Sequence, residues 1–196
     1  METIFFENST ADLKKNIKEI EKKLNVKLTV KGKEVSIEGE GITEYESLRV
    51  LEAMSSGFSS KVALMLKEND LMFKKISMKD ITTRPDLKTV RARVIGKHGQ
   101  TKHTIEQVSD CYLAVQGNDV SIIASPDNIE EALTAIKNLI RGSKQANVYH
   151  FLESMNTSRK SLSEDLGLKS KNEPTKYELK KKKEAEKKLK ENQKEA

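Results

Sequence analysis

Apolar positions in this chain follow two spacings, and the same succession of spacings occurs twice. In the first half, the pattern predicts a strand, a helix, two strands separated by a turn at Gly32, and two further helices. These segments are residues 3–6, 13–24, 26–30, 34–38, 42–58 and 59–66. Alternating apolar residues over 71–81 connect this half to the next. The chain is therefore expected to contain two α/β units in tandem.

The second half carries the more pronounced pattern. Alternation of Val90, Ala92 and Val94 predicts a strand over residues 87–94. After a glycine-containing turn, helical spacing resumes around Ile105. Two strands and two helices follow, at residues 111–115 and 120–124, from 126 to a C-cap at 142, and at 147–155. The last helix is expected to pack back on the domain.

The turn between these segments reads Gly96-Lys97-His98-Gly99. Neither glycine has a Cβ, so a Gly-x-x-Gly turn lets a nucleic-acid backbone come close. N–H groups at the start of the following helix can face a phosphate. Lys97 adds positive charge, and His98 adds a ring that can stack or form hydrogen bonds. In its strand and helix context, the turn predicts the loop by which KH domains clamp about four nucleotides of a single strand.

The order of predicted segments is that of a type I KH domain, and particular residues narrow the resemblance. Residues 96–106 resemble the second KH domain of the archaeal "partner of NOB-one" family, which is related to the KRR-one-type small-subunit assembly proteins. The continuation from Thr101 and Lys102 to Glu106 is typical of that family. Arg91-Ala-Arg93 and residues 148–153 also match. The resemblance covers roughly residues 1–160.

This resemblance implies an α/β (α+β) fold of two tandem type I KH-like domains, with three-stranded sheets covered by helices, a C-terminal helix and a charged tail. The expected boundaries are residues 1–82 for a degenerate first domain, 83–160 for the second domain, and 161–196 for a Lys/Glu-rich tail that is disordered or transiently helical. The first domain departs from the family pattern, because it has no Gly-x-x-Gly and carries Glu7 and Asp12 where that loop is expected. It is therefore expected to serve as a structural or protein-binding module.

The resemblance also implies a function and partners. The expected role is an assembly or rRNA-processing factor that binds single-stranded RNA near the 3′ end of small-subunit ribosomal RNA. The implied protein partners are the endonuclease that matures this 3′ end and the alpha subunit of initiation factor 2. No cofactor and no membrane are implied, and the expected compartment is the cytoplasm.

The distribution of charge locates the expected RNA contact. The formal net charge is +6, but 11 Lys and 6 Glu from residue 169 onward account for +5 of it. The remainder of the chain is nearly neutral, so an RNA footprint on it must be local. Residues 84–106 form such a patch, with six Lys or Arg against Asp86 and Glu106. RNA binding through this patch should weaken with salt.

The candidate RNA-binding residues lie within this patch. They are Arg91, Arg93, Val94, Ile95, Gly96, Lys97, His98, Gly99 and Lys102. Lys97 is the foremost candidate for a phosphate contact, and Lys102 is expected to point toward the same strand. Arg91 and Arg93 would share one face of the predicted strand, where they either line the groove or cover the sheet edge. Val94 and Ile95 are expected in the apolar floor of the groove, while also belonging to the core.

Other function classes find less support. The spacing after Gly96 is not that of a nucleotide P-loop, and no catalytic or metal residues are assigned. One Cys and three His provide neither a disulfide framework nor a zinc cluster. No apolar run is long enough to cross a bilayer, and no signal peptide is expected. Two alternatives stay open: a protein–protein adaptor built on a KH scaffold, and an RNA-binding component of an RNA-degrading complex.

Overall fold

The computed structural model describes residues 2–6, 10–68 and 70–165. The elements form two units that follow each other along the chain. The first unit contains β1 (Glu2–Phe5), α1 (Ala11–Leu24), β2 (Lys27–Lys31), β3 (Glu34–Glu38), α2 (Gly41–Ser55) and α3 (Ser60–Glu68). The second contains β4 (Met72–Ser77), α4 (Met78–Ile81), α5 (Leu87–Ile95), a 3-10 turn (Lys97–Gly99), α6 (Gln100–Val108), β5 (Cys111–Gln116), β6 (Asp119–Ala124), α7 (Pro126–Arg141) and α8 (Gln145–Asp165).

Each unit is built on a three-stranded antiparallel sheet with the same strand order. The orders are β1-β3-β2 and β4-β6-β5, so the last strand of each unit lies in the centre. In the second sheet, Leu113 pairs with Ile122 and faces the helices. Period-two alternation gives each sheet an apolar face that the helices cover. The predicted α/β class with two KH-like units is therefore confirmed.

The segment predicted as a strand over residues 87–94 is a helix, α5, and that prediction was wrong. Val90 and Val94 are four positions apart, and this spacing places them on one face of a helix as readily as on one face of a strand. Both are buried in the core, whereas Ala92 between them is exposed. Asp86 supplies the N-cap, because its carboxylate accepts a hydrogen bond from the backbone N–H of Thr89 at 3.2 Å.

The second unit begins earlier than the predicted boundary between residues 82 and 83. The segment that was expected to connect the units contains β4, which pairs with β6 along its whole length, from Met72 to Ser77. The predicted helix at 147–155 is part of α8, and Val148 and Leu152 are buried against the domain as expected. Most of the predicted tail, residues 166–196, lies outside the described residues.

The two units repeat one plan with a shift of 85 positions. This shift carries Glu21 onto Glu106 and Leu28 onto Leu113. In each pair the Glu Oε1 accepts a hydrogen bond from the Leu backbone N–H, at 2.8 Å in the first unit and 2.9 Å in the second. Each of these bonds joins a helix to the free edge of the outer strand that follows it. The same shift carries Gly32 onto Gly117, and both have positive φ in the turn that joins the two last strands.

The helix that ends each unit also occupies an equivalent place. Lys67 Nζ donates to the backbone carbonyl of Lys23 at 3.0 Å, so α3 covers the end of α1. Asn156 Nδ2 donates to the carbonyl of Val108 at 3.0 Å, so α8 covers the end of α6. Val108 lies 85 positions after Lys23. The pairs α1 and α6, α2 and α7, and α3 and α8 are therefore counterparts.

The units differ between the first strand and this shared helix. Only residues 6–10 link β1 to α1, which is too short a segment to hold counterparts of α4, α5 and the glycine turn. The shift of 85 places Ala11 where the second unit has Gly96. The first helical turn of α1 therefore lies where the second unit has its Gly96–Gly99 turn. The first unit thus has the strand order of the second without its Gly-x-x-Gly element.

An apolar interface joins the two units. Phe73 and Ile123 lie on the sheet face that points away from the second unit's own helices, and they pack into the core of the first unit. The rings of Phe58 and Phe73 meet edge to face, with centroids 6.4 Å apart. Ala114 on the neighbouring strand is buried in the same cluster. The two units therefore pack directly against each other.

Candidate nucleic-acid interface

The Gly-x-x-Gly turn lies between the end of α5 and the start of α6. Gly96 has φ 77° and ψ 174°, and its N–H donates to the carbonyl of Ala92 at 2.8 Å, which closes α5. Gly99 has φ 75° and ψ 7°, and its N–H donates to the Gly96 carbonyl at 3.2 Å. His98 also has positive φ, at 52°. Both glycines therefore adopt backbone conformations that residues with a Cβ seldom occupy.

The two glycines face different surroundings. A methyl group on Gly96 would lie 2.1 Å from Thr101 Oγ1 and 2.7 Å from the Thr101 backbone nitrogen. A methyl group on Gly99 would have no heavy atom within 4 Å. Gly96 is thus needed for packing within the protein, whereas the space over Gly99 is open. Open space over a glycine permits the close approach of another backbone.

Thr101 fixes the turn to the rest of the domain. It is 2% exposed, and its Oγ1 accepts a hydrogen bond from Gln145 Nε2 on α8 at 2.8 Å. Gly96 packs directly on this side chain. The turn is therefore held by contacts from two helices, which reduces the entropy lost when a ligand binds to it.

Lys97 and His98 project from this anchored turn. Both are exposed, and within the described part of the chain neither side chain has a hydrogen bond or ion pair. They stand beside the N-terminus of α6, where the helix dipole favours an anion. The turn therefore presents the positive charge of Lys97 next to the positive end of the α6 dipole. This arrangement suits the phosphate of a nucleic-acid backbone.

Lys102 is less available than the sequence suggested. It is half-buried, and its Nζ lies 3.8 Å from Glu106 Oε1, one helical turn further along α6. Glu106 in turn binds the β5 edge through Leu113 N–H. Part of the positive charge of Lys102 is therefore balanced within the protein, and we expect it to contribute less to RNA affinity than Lys97.

Arg91 and Arg93 do not share a face, because they lie on a helix. Two residues along a helix correspond to about 200° of rotation, whereas on a strand they would point the same way. Arg91 Nη1 donates to the carbonyl of Gly117 at 2.9 Å, in the turn between β5 and β6. Arg93 points instead toward Gly142, at the end of α7. The expectation that both lie on one face of a strand, where they line the groove or cover the sheet edge, is therefore wrong.

Val94 is completely buried in the core of the second unit, as expected, and this leaves it no accessible surface for the predicted RNA contact. The cause is again the helical geometry of α5, which turns Val90 and Val94 inward together. Ile95 is only half-buried. Val94 and Ile95 were both predicted to form the apolar floor of the groove, and Ile95 is the one that retains accessible surface.

The structure adds residues that the sequence interpretation did not single out. Glu106 closes part of the β5 edge, Gln145 supports the turn, and Arg84 joins Arg93 near Gly142. No local sequence signal pointed to Gln145 or to the meeting of the two arginines, because both depend on how α7 and α8 return to the turn. A spacing of seven between Glu and Leu in both halves would have identified Glu106.

The described residues do not favour a nucleophilic cysteine, a metal site or a membrane span. Burial raises the pKa of the Cys111 thiol far above its usual range, so it is a poor nucleophile. In residues 2–6, 10–68 and 70–165, no group of three or more His, Cys, Asp or Glu is placed to hold a metal ion. None of the helices in the described part of the chain is long and apolar enough to cross a membrane.

The second unit has a three-stranded sheet with the order β4-β6-β5, two helices joined by a glycine turn, and a further helix that covers them. This combination defines a type I KH domain. Residues 72–157 match the family model for the second KH domain of PNO1, described as a eukaryotic type KH-domain (KH-domain type I). The match begins at the first residue of β4, which agrees with the corrected boundary of the second unit.

Similarity to known proteins extends across both units. The chain is 30% identical over 148 residues to the KH domain-containing protein MJ0443 of Methanocaldococcus jannaschii, covering 71% of this chain and 65% of that protein. It is 30% identical to the pre-rRNA-processing protein PNO1 of Chaetomium thermophilum, covering 66% of this chain and 54% of that protein. The chain therefore spans between about half and two thirds of the length of these curated relatives.

Two solved structures of Dim2p from Pyrococcus horikoshii OT3 have the same fold. The structure of Dim2p alone has a TM-score of 0.70 and 32% identity, and the match covers 78% of this chain and 98% of that one. In the complex of a/eIF2alpha, aDim2p and rRNA, the corresponding values are 0.71, 31%, 80% and 94%. The chain belongs to the PNO1/Dim2 family of KH-domain proteins.

Proposed function

We propose that this protein binds single-stranded RNA of the small ribosomal subunit through the Gly96–Gly99 turn, as a factor in rRNA processing and subunit assembly. The observation that carries the proposal is the anchored glycine turn, whose exposed Lys97 and His98 have no partner among the described residues and lie beside the N-terminus of α6. The relatives support it, because one is named a pre-rRNA-processing protein and another was solved in a complex with rRNA.

The geometry suggests how the RNA strand is held. The open space over Gly99 admits the sugar–phosphate backbone, and a phosphate then lies near the positive end of the α6 dipole. Lys97 adds a charge-assisted contact to the phosphate. His98 lies beside it and can stack on a base or donate a hydrogen bond. No covalent bond is made or broken, so the protein acts as a clamp and not as an enzyme.

The first unit serves as a scaffold in this proposal. The shift of 85 positions places Asp12 where the second unit has Lys97, and the carboxylate of Asp12 accepts a hydrogen bond from the backbone N–H of Ser60 at 2.8 Å. Leu13 corresponds to His98 and is buried. An acidic residue engaged with α3 and a buried apolar residue thus replace the two projecting side chains of the turn.

The proposed function also includes two protein partners. The alpha subunit of initiation factor 2 occurs with Dim2p and rRNA in the Pyrococcus horikoshii complex, and we propose it as a partner here. The endonuclease that matures the rRNA 3′ end is a prediction from the family resemblance, and a cytoplasmic location is a prediction from the sequence. Both partners fit a protein that holds the RNA while other factors act on it.

A protein–protein adaptor is the second candidate. Ile42 and Tyr45 lie one helical turn apart on α2 and are 79% and 63% exposed. Exposed apolar side chains of this size favour a protein contact on the first unit. Salt separates the two candidates, because phosphate contacts weaken steeply with ionic strength and an apolar interface does not.

The proposal is tested by fluorescence anisotropy with a labelled single-stranded RNA from the 3′ end of small-subunit rRNA. Wild type is compared with Lys97→Asp/His98→Asp. The matched control is Lys15→Asp/Lys18→Asp, which removes at least as much positive charge from an exposed face of α1. Loss of one charge-assisted contact, about 1.5–3 kcal/mol, predicts at least tenfold weaker binding for the turn variant alone. Equal affinity of both variants for the RNA would favour the protein–protein adaptor over RNA binding through the turn.

A further inference from the structure

Arg84 and Arg93 meet at the end of α7. A methyl group on Gly142 would lie 2.9 Å from Arg84 Nη2 and 3.3 Å from Arg93 Nη1. Because both nitrogens flank one point, they are no more than about 6 Å apart, a separation at which like charges repel appreciably outside bulk water. Gly142 has φ 112° and no Cβ, which leaves room for both guanidinium groups.

No anion in the described part of the chain balances this pair. Neither side chain takes part in an ion pair or hydrogen bond among those residues, and Arg93 Nη1 is buried without a hydrogen-bond partner. The C-terminus of α7 contributes a partial negative charge. That half charge cannot satisfy two guanidinium groups, and a buried unpaired N–H is costly to maintain. The arrangement is that of a site whose negative partner comes from another molecule.

The pair adjoins the glycine turn on the side of α7 and α8. Arg93 lies three residues before Gly96, which is nearly one helical turn, or about 5 Å along the axis of α5. Gln145, three residues after Gly142, binds Thr101, on which Gly96 packs. The guanidinium pair is thus connected to the turn through both α5 and the start of α8.

We propose that Arg84 and Arg93 bind a backbone phosphate of the same RNA strand, beyond the nucleotides clamped at Gly96–Gly99. The proposal rests on the proposed RNA-binding function and extends its footprint. Guanidinium groups present planar pairs of N–H donors that match two oxygens of one phosphate. The position next to the turn favours a phosphate of the bound strand over a carboxylate of a protein partner.

The experiment measures anisotropy with a series of single-stranded RNAs that begins at four nucleotides and is lengthened separately at the 5′ and 3′ ends. Wild type is compared with Arg84→Gln, Arg84→Gln/Arg93→Gln and a matched control, Arg49→Gln, on α2 of the first unit. Thermal unfolding confirms that each variant is folded. Arg84 is exposed, so its single variant keeps the test valid if substitution of Arg93 disturbs folding.

Wild type and Arg49→Gln should gain affinity when the RNA is extended at one end, and the Arg84 variants should lose that gain. On the longer RNA, the plot of log affinity against log salt should be less steep for the Arg84 variants than for wild type. The difference in slope should be about 0.7, the value for one phosphate on a single strand. Four-nucleotide RNA should bind all variants alike. An unchanged slope and an unchanged gain with length would overturn the proposal and leave a protein carboxylate as the partner of the pair. Lys97→Asp/His98→Asp tests the turn independently, so failure of either proposal is distinguishable.

Discussion

The two glycines of the turn should differ in what they contribute to stability and to binding. Gly96→Ala would force a Cβ to within 2.7 Å of the Thr101 backbone nitrogen, and this backbone cannot move without disturbing the Gln145 contact. Gly99→Ala would meet no protein atom within 4 Å. We therefore expect Gly96→Ala to destabilise the second unit strongly and Gly99→Ala to act mainly on the ligand.

The magnitudes follow from the backbone angles. Gly96, at φ 77° and ψ 174°, occupies a region that is essentially restricted to glycine, so alanine there costs about 1–3 kcal/mol. The steric conflict with Thr101 adds about 1–3 kcal/mol. Gly99, at φ 75° and ψ 7°, lies near the left-handed helical region, where alanine costs about 1–2 kcal/mol. The expected difference between the variants is therefore about 2 kcal/mol.

Urea unfolding measures this difference when it is followed through the labelling of Cys111, which lies buried in β5 and reports on the second unit. With an m value of about 1–3 kcal/mol/M, 2 kcal/mol separates the two midpoints by about 1 M. Gly99→Ala should nevertheless weaken RNA binding, because its methyl group enters the open space. Equal midpoints for the two variants would refute the assignment of Gly96 to packing and Gly99 to the ligand.

Three further predictions concern the second unit. Glu106→Ala leaves the N–H of Leu113 without its acceptor and should lower the free energy of unfolding by about 1–3 kcal/mol, measured by urea unfolding; an unchanged value would show that the bond contributes nothing. The hydrogen bonds from Thr89 hold the pKa of Asp86 below its usual value of 3.8. The stability advantage of wild type over Asp86→Ala should therefore be constant at neutral pH and disappear as pH falls through that lowered pKa; an advantage that persists in acid would contradict the cap. Cys111, whose pKa is raised by burial, should react with thiol reagents at pH 8 only at the rate of unfolding, and rapid labelling of the native protein would contradict its burial.

Much of the fold follows from the spacing of apolar residues, because a sheet face and a helix face impose different periods. The strands at 111–115 and 120–124 and the helix that begins at Pro126 were predicted within a residue or two of their observed positions. The error at α5 has a definite physical origin. Val90 and Val94 satisfy both the helical and the strand period. The N-cap signal from Asp86 to Thr89 is the feature that distinguishes a helix from a strand in this segment.

The site was only partly predictable, since some of its features depend on distant segments. The turn itself, with Lys97 and His98, is local and was recognised from the sequence. The divergence of Arg91 and Arg93 requires knowledge that α5 is a helix. The approach of Arg84 to Arg93 requires the return of the chain at Gly142, which no local pattern encodes.

The most direct test of the RNA clamp is the change in backbone amide chemical shifts when a four-nucleotide RNA is added to the labelled protein. The largest shifts should lie at residues 96–102, with smaller changes along β5 and none on the outer face of the first sheet. The same titration of Lys97→Asp/His98→Asp should leave these amides unshifted. Shifts centred on the first unit, or equal shifts in wild type and variant, would contradict the claim that the Gly96–Gly99 turn holds the RNA.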